Sequence, residues 1–297
     1  MAARPTKLKT RSPIAAIVAA VVAMLVGVAA AQAPPARIIS LVPAVTEILF
    51  AIGAGPQVVA VSSYNNFPEQ VKALPRVGAL LDPDVERILA LRPQLVVSYG
   101  SQTDLQAQLG RAGIAVYNYR HTGLAGIFDA IRGVGRASGR REEAERLARD
   151  IETKMDAIRT RVKGRRRPRT LLVFERDPTT LRGIYVSGGR GFLHDMLEVA
   201  GGENVFADTD REAVQPSHET LLTRAPEVIV EIRASGLIAS GNAPSEERAV
   251  WAPLASIPAV RNGRLILLSG DYLVVPGPRV AQAVESLARA LHPEAFK

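Results

Sequence analysis

Two segments of the 297-residue chain, VERILALRPQLVV (85–97) and HETLLTRAPEVIV (218–230), repeat one order of residue types. The second copy lies 133 residues after the first throughout. The matched positions are an acid, two apolar residues and a proline: Glu86 with Glu219, Ile88 and Leu89 with Leu221 and Leu222, and Pro93 with Pro226. Each copy predicts a short helix that leads into a buried strand, so the chain contains two similar α/β units.

Further buried strands are predicted on both sides of this repeat, where short apolar runs end at turn residues. In the first half of the chain they span residues 38–42, 58–63, 95–98 and 114–119, and in the second half 170–175, 227–232 and 264–269. Helical patterns lie between them. Continuous apolar strands that alternate with helices are typical of parallel sheets covered on both faces. The predicted fold is therefore α/β, with two Rossmann-like lobes.

One long helix is predicted to join the lobes. Arg141 to Val162 contains no proline or glycine, and its apolar residues recur at a spacing of three or four. These residues are Leu147, Ile151, Met155, Ile158 and Val162. We therefore divide the chain into an N-terminal lobe (37–140), an interlobe helix (141–163) and a C-terminal lobe (168–297).

The first 33 residues have the order of a secretory signal peptide: a basic leader, an apolar run over 14–31, and the small-residue site Ala31-Gln32-Ala33. An uncleaved membrane anchor is the alternative. The chain has no cysteine, which excludes a lipid anchor, disulfides and thiolate metal sites. Cleavage would remove four basic residues and leave 33 basic against 29 acidic residues, a net charge of +4. Nucleic acid is therefore not the expected partner.

The sequences of several segments resemble those of a known family, the helical-backbone periplasmic binding proteins. The resemblance extends over about residues 37 to 295. The segments include RIISLVPAVTEILFAIGAG (37–55), VVAVSSYNNFP (58–68), LPRVG (74–78) and GGENVF (201–206). These proteins are the substrate receptors of ABC importers for cobalamin, haem and ferric siderophores, and the resemblance is nearest to the cobalamin branch. It implies a monomeric periplasmic receptor, with no enzymatic activity and no cofactor of its own, that delivers a metal chelate to an ABC permease dimer in the inner membrane.

In that family one glutamate on each lobe docks the receptor onto arginines of the permease. The positions that match this motif are Glu86 and Glu219. The alternative is that both carboxylates only complement the positive ends of their helices.

The ligand pocket is predicted from the carboxyl ends of the strands, where doubly wound sheets bind their ligands. Aromatic residues would supply flat contacts to a large ligand, and polar residues would fix its orientation. The predicted contacts are Tyr64, Leu80, Tyr99, Arg176, Asp177, Ser187, Gly188, Trp251, Asp271 and Tyr272.

The identity of the chelate stays open at this level. Relatives of the cobalamin branch often place a tryptophan where this chain has Leu80. A haem receptor would need an axial ligand, for which Tyr64, Tyr99 or Tyr272 is available, and a siderophore receptor could use Arg176 and Arg182. A bare metal ion is not expected, because the four histidines are scattered. An exported enzyme on this fold is the alternative of another class, but the chain has no nucleophile elbow, Walker loop or zinc-protease motif.

Overall fold

The computed structural model describes residues 33–234 and 241–297, with no side chains described for positions 241 and 242. The predicted signal peptide lies outside the described residues except for its last position, Ala33.

The N-terminal lobe has a four-stranded sheet in the order β2-β1-β3-β4, and every neighbouring pair is parallel. Its strands are β1 (Ile38–Ser40), β2 (Val58–Val61), β3 (Leu95–Tyr99) and β4 (Ala115–Tyr119). Its helices are α1 (Pro43–Ala51), α2 (Val85–Ala90), α3 (Thr103–Arg111) and α4 (Gly123–Ser138). The apolar runs predicted as strands therefore form one parallel sheet, as expected.

The C-terminal lobe has a seven-stranded mixed sheet in the order β10-β11-β9-β5-β6-β8, with β7 on β5. Its strands are β5 (Arg169–Glu175), β6 (Tyr185–Ser187), β7 (Glu203–Asn204), β8 (Ala213–Val214), β9 (Val228–Arg233), β10 (Gly241–Asn242) and β11 (Leu265–Ser269). Its helices are α6 (Phe192–Val199), α7 (His218–Arg224), α8 (Ser245–Val250), α9 (Pro258–Arg261) and α10 (Val280–Leu291). The predicted parallel core is β5, β9 and β11, to which the antiparallel strands β6, β8 and β10 are added.

The interlobe helix α5 spans Arg141–Val162, as the sequence pattern predicts. Its buried face includes Ile151, Met155 and Ile158, which share one apolar cluster with Val45 of the N-terminal lobe and Leu287 of the C-terminal lobe. Because one rigid element packs on both lobes, the core of the protein is continuous between them.

The sequence repeat is also a repeat of backbone structure. The side chain of Asp84 caps α2 by accepting a hydrogen bond from the backbone N–H of Arg87 at 2.9 Å. At the equivalent place Ser217 caps α7 by accepting from the backbone N–H of Thr220 at 3.1 Å. Such caps satisfy N–H groups that have no partner inside the helix. The two helices therefore begin in the same way.

The two helices also end in the same way. Arg37 donates from Nη2 to the carbonyl of Leu91 at 2.6 Å, and Arg169 donates from Nη2 to the carbonyl of Arg224 at 2.7 Å. Both arginines stand at the start of a central strand, so each helix ends at the amino edge of its sheet. The next residues, Arg92 and Ala225, are the two non-glycine residues with positive φ in the described part of the chain.

Polar contacts join the lobes next to the connecting helix. Arg279, just before α10, reaches the Glu47 carboxylate on α1 through Nε at 2.8 Å and Nη2 at 2.5 Å, and it also reaches Asp271 at 2.8 Å. The Glu47 side chain is only 3% exposed. Burial raises the pKa of the Glu47 carboxyl above its ordinary value, and the Arg279 guanidinium opposes that rise. In addition, Asp195 of the C-terminal lobe accepts from the backbone N–H of Leu124 at 2.8 Å, at the start of α4.

The interlobe pair gives a testable expectation for stability. Arg279→Leu should lower the free energy of unfolding by about 3–5 kcal/mol, because it leaves the buried Glu47 without a charge partner. Replacing both residues with leucine should cost much less, since no buried charge then remains. Urea unfolding measures both effects. The control is Arg289→Leu on α10, whose pair with Glu285 is exposed and should contribute at most about 1 kcal/mol. An equal loss in the single and double variants would contradict this account.

Candidate functional site

The candidate site is the cleft between the carboxyl ends of the two sheets. A cavity of about 260 Å³ lies between the lobes, and a second cavity of about 310 Å³ lies over the ends of β3 and β4. His121, at the end of β4, lines both cavities. Around it the first cavity is lined by Phe174, Phe192, Leu193, Arg190, Glu212 and Val274, and the second by Tyr99, Ser101, Tyr119 and Arg120. Both cavities therefore combine apolar and aromatic walls with a few charged groups, as ligand sites do.

His121 is held between the two lobes by ring contacts. Its imidazole packs edge-on against Phe192 of α6, with ring centroids 5.1 Å apart, and its Nδ1 lies 3.4 Å from the hydroxyl of Tyr119. Burial lowers the pKa of His121 below its ordinary value, although the carboxylates of Glu212 and Asp195 act in the opposite direction. The imidazole is therefore biased towards its neutral form.

An aromatic loop follows β2 on the cleft side of the N-terminal sheet. Tyr64 is 71% exposed and Phe67 is 41% exposed. The loop is fixed to the N-terminal lobe by Asn65, whose side chain is hydrogen-bonded to Ser62 and to Thr46 of α1. The Arg279 guanidinium stacks over the Phe67 ring at 4.0 Å from its centroid. The interlobe ion pair and the aromatic loop are therefore one contact network.

The structure brings three more predicted residues to the same edges. Gln102 connects Leu80 to Tyr99 by donating to the Leu80 carbonyl and accepting from the Tyr99 N–H, both at 3.0 Å. Leu80 is 38% exposed, and Tyr99 packs edge-on against Tyr119. Asp271, after β11, is held by Arg279. These residues stay predicted ligand contacts.

Two other predicted contacts are enclosed by their own lobe. Trp251 is 1% exposed and donates from its indole N–H to Glu231, and the Arg176 side chain is 0% exposed and bonded to Glu231 and Glu247. Arg176 also donates to the carbonyls of Asp177 and Pro178. Trp251 and Arg176 are therefore bonded within their own lobe, and their role as ligand contacts stays a prediction. Both donate to the buried Glu231 carboxylate, and a buried charge needs such partners.

The remaining predicted contacts also have local partners. Ser187 is fully buried, Asn204 donates to the Gly188 carbonyl at 2.8 Å, and a Cβ on Gly188 would lie 2.1 Å from the Arg211 carbonyl. This turn is therefore closed by packing. The exposed Asp177 accepts from the backbone N–H of Thr179 at 2.9 Å, and these hydrogen bonds hold its carboxyl pKa below the ordinary value.

Tyr272 turns towards its own lobe. Its hydroxyl lies 3.2 Å from the hydroxyl of Ser286 on α10, and its ring packs on the core.

Residues of the cleft that the sequence analysis missed are His121, Phe174, Phe192 and Val274. His121 could have been found, because it follows a predicted strand in the same manner as Tyr64 and Tyr99. Phe174 lies within β5 and Phe192 begins α6, so their position in the cleft depends on how the second lobe is placed. No local pattern indicates that placement.

Glu86 and Glu219 lie outside both cavities. Each is exposed in the first turn of its helix, at the end opposite to the clamps formed by Arg37 and Arg169. In the described part of the chain neither carboxylate forms an ion pair with another side chain. Both are therefore available to a partner at the edge of the sheet where the cleft opens.

In residues 33–234 and 241–297 no three His, Asp or Glu side chains form a group that could hold a metal ion. No helix within the same ranges has the length and apolar character needed to span a membrane.

Comparison with known proteins identifies the family. Residues 38–272 match the family model of the periplasmic binding proteins. Vitamin B12-binding proteins of Yersinia pestis (strain Pestoides F) and Yersinia pseudotuberculosis (serotype O:3, strain YPIII) are each 31% identical to the chain over 257 residues, or 86% of either sequence.

Solved structures agree as well. The periplasmic vitamin B12 binding protein BtuF of Vibrio cholerae is 30% identical with a TM-score of 0.72, over 89% of this chain and 99% of that one. The periplasmic haem-binding protein RhuT from Roseiflexus sp. RS-1, in apo form, is 28% identical with a TM-score of 0.71, over 87% and 98% of the two chains. These relatives are named for the compounds that they bind, vitamin B12 and haem. The chain belongs to the periplasmic binding protein family.

Proposed function

We propose that this protein captures a metal chelate in the interlobe cleft and delivers it to an ABC permease, and that the chelate is cobalamin. The observation that carries the proposal is the similarity to vitamin B12-binding proteins along 86% of the chain. It extends over both lobes, and therefore over both walls of the cleft.

The cleft has the chemistry that such a ligand requires. A corrinoid is large and has two faces, so it is held by flat apolar contacts with a few polar groups for orientation. Tyr64 offers an exposed ring in the loop after β2, and Gln102 links the loop that contains Leu80 to Tyr99 at the end of β3. On the opposite lobe Asp271 keeps a partly exposed carboxylate next to Arg279. A corrinoid amide could donate to that carboxylate.

Delivery is assigned to the two exposed glutamates. Glu86 and Glu219 occupy equivalent places on the two lobes and lie outside the cavities, so a partner could bind them while the ligand stays bound. A permease dimer with two-fold symmetry would offer one cationic site to each lobe. We further infer that the chain acts in the periplasm as a monomer and returns its ligand chemically unchanged.

Haem is the second candidate, and His121 is the observation that favours it. Burial lowers the pKa of His121 and so favours the neutral imidazole, the form that can bind iron as an axial ligand. The two candidates are separated by the absorption spectrum of the protein purified from a host supplied with both compounds. The position and shape of the bands identify the pigment that stays bound.

The aromatic loop gives the first binding prediction. Tyr64→Ala should weaken cyanocobalamin binding by about 1–3 kcal/mol, because it removes the exposed ring that would pack on the corrin. Tyr64→Phe is the matched control, since it keeps the ring and loses only the hydroxyl. Isothermal titration of the three proteins measures the change. Unchanged affinity in Tyr64→Ala would place the ligand elsewhere.

The docking glutamates give the second prediction. Glu86→Gln and Glu219→Gln should leave cyanocobalamin affinity unchanged and should each reduce permease-dependent uptake strongly. The reason is that a truncated charge pair at an interface commonly costs about 2–5 kcal/mol. Uptake by the reconstituted importer and ligand affinity are measured on the same variants. Normal uptake in the double variant would return both residues to the role of helix-end charges.

His121 gives a prediction for pH. Because its pKa is lowered in the folded protein, the unfolded chain binds a proton more readily. Stability should therefore be highest above the ordinary histidine pKa of about 6.5 and should fall as the pH drops below it. His121→Gln should remove part of that fall. Urea unfolding at about pH 7.5 and about pH 5.5 tests this, with the exposed His218→Gln as control. An identical pH dependence in His121→Gln and the wild type would contradict the assignment.

A further inference from the structure

The two copies of the repeat are identical at only four positions: Glu86 and Glu219, Leu89 and Leu222, Pro93 and Pro226, and Val97 and Val230. The prolines and valines are buried in both lobes, so packing explains them. The glutamates and leucines are exposed in both lobes. Burial in the core therefore does not explain these two identities.

The exposed leucines are unusual on this surface. Among the described residues seven large apolar side chains are exposed, and two of them are Leu89 at 39% and Leu222 at 42%. The core face of each helix is formed by the preceding residue, since Ile88 and Leu221 are both 0% exposed. Ile88 and Leu221 therefore pack fully into the lobes, whereas Leu89 and Leu222 keep part of their surface in solvent.

Each leucine lies on the same helix face as its glutamate. Residues three positions apart on a helix are neighbours on its surface, so Glu86 with Leu89 and Glu219 with Leu222 form two equivalent pairs. Matching caps and matching arginine clamps fix both helices, so both pairs are presented from the same kind of rigid frame.

We propose that these pairs are two equivalent docking points, each of which combines an ionic contact with an apolar contact. The partner surface would present a cation beside an apolar recess, twice, around a two-fold axis. The inference rests on the proposed function, because the permease is the partner with that symmetry, and it adds Leu89 and Leu222 as contact residues.

The negative charge of the two docking points favours the permease over a second copy of the chain or a membrane surface. A second copy of the chain would bring one acidic pair against another, and like charges at a contact oppose association. An anionic membrane surface would repel the glutamates in the same way. A partner with cations is favoured at both points.

The test measures binding to the cobalamin permease of the source organism in nanodiscs. Leu89→Ser and Leu222→Ser should each weaken binding about ten-fold, consistent with burial of the exposed part of a leucine. The double variant should lose about a hundred-fold, because the sites are independent. The controls are Arg87→Lys and Thr220→Ser, conservative changes one position after each glutamate. These positions lie about 100° from the glutamate on the side away from the leucine, so both variants should bind normally.

Salt separates the apolar contact from the ionic one. Raising the salt from about 0.05 M to about 0.3 M should shrink the loss caused by Glu86→Gln and leave the loss caused by Leu89→Ser unchanged. Cyanocobalamin affinity should be normal in every variant. Normal permease binding by the leucine variants overturns the inference and leaves the proposed function standing. Failure of the wild-type protein to bind the permease overturns both. A dimer in sedimentation that the leucine variants abolish would assign the surface to self-association and overturn the inference.

Discussion

The packing of α5 against both lobes is the constraint on which the cleft depends. The chain crosses between the lobes once, and it crosses as a helix whose buried residues share one apolar cluster with α1, α4 and α10. A helix bends only at identifiable breaks such as proline or glycine pairs, and this one contains neither. Relative motion of the lobes must therefore disturb a continuous core. The cleft, our proposed ligand site, is consequently an opening whose width is largely set before a ligand arrives, which would reduce the ordering cost of binding.

The Glu47–Arg279 ion pair further restricts how the two lobes can be arranged. Desolvation by burial raises the pKa of the Glu47 carboxyl, and the Arg279 guanidinium opposes that rise. A buried pair of this kind contributes little net stability, but it permits only one geometry. The same guanidinium also binds Asp271 and stacks on Phe67. Three elements that border the cleft, α1, the aromatic loop and the turn after β11, are thus fixed by one side chain.

Much of the fold could be predicted because its signals are local. The α5 boundaries follow from an unbroken apolar stripe, and the parallel strands follow from continuous apolar runs. Strands β6, β8 and β10 have two or three residues and no such pattern, so they were missed. The site was harder to predict because it depends on distant pairing. Arg176 follows a strand and looks available, but Glu247, 71 residues away, encloses it. His121 was missed although the strand-end rule covers it.

The two lobes differ from each other at the cleft but are similar at the helices that carry Glu86 and Glu219. Across the cleft the lobes are unlike: an exposed tyrosine and a histidine on one side face phenylalanines and an ion pair on the other. The helices that carry Glu86 and Glu219 share four features: a side-chain N-cap, the glutamate, the exposed leucine and a residue with positive φ after the helix. A chelate with two different faces is best held by two different walls, whereas a symmetric dimer requires two equal handles. The proposed partners thus explain where the lobes are similar and where they differ. The cleft walls differ where an asymmetric ligand would bind, and the two helices are similar where a two-fold symmetric partner would bind.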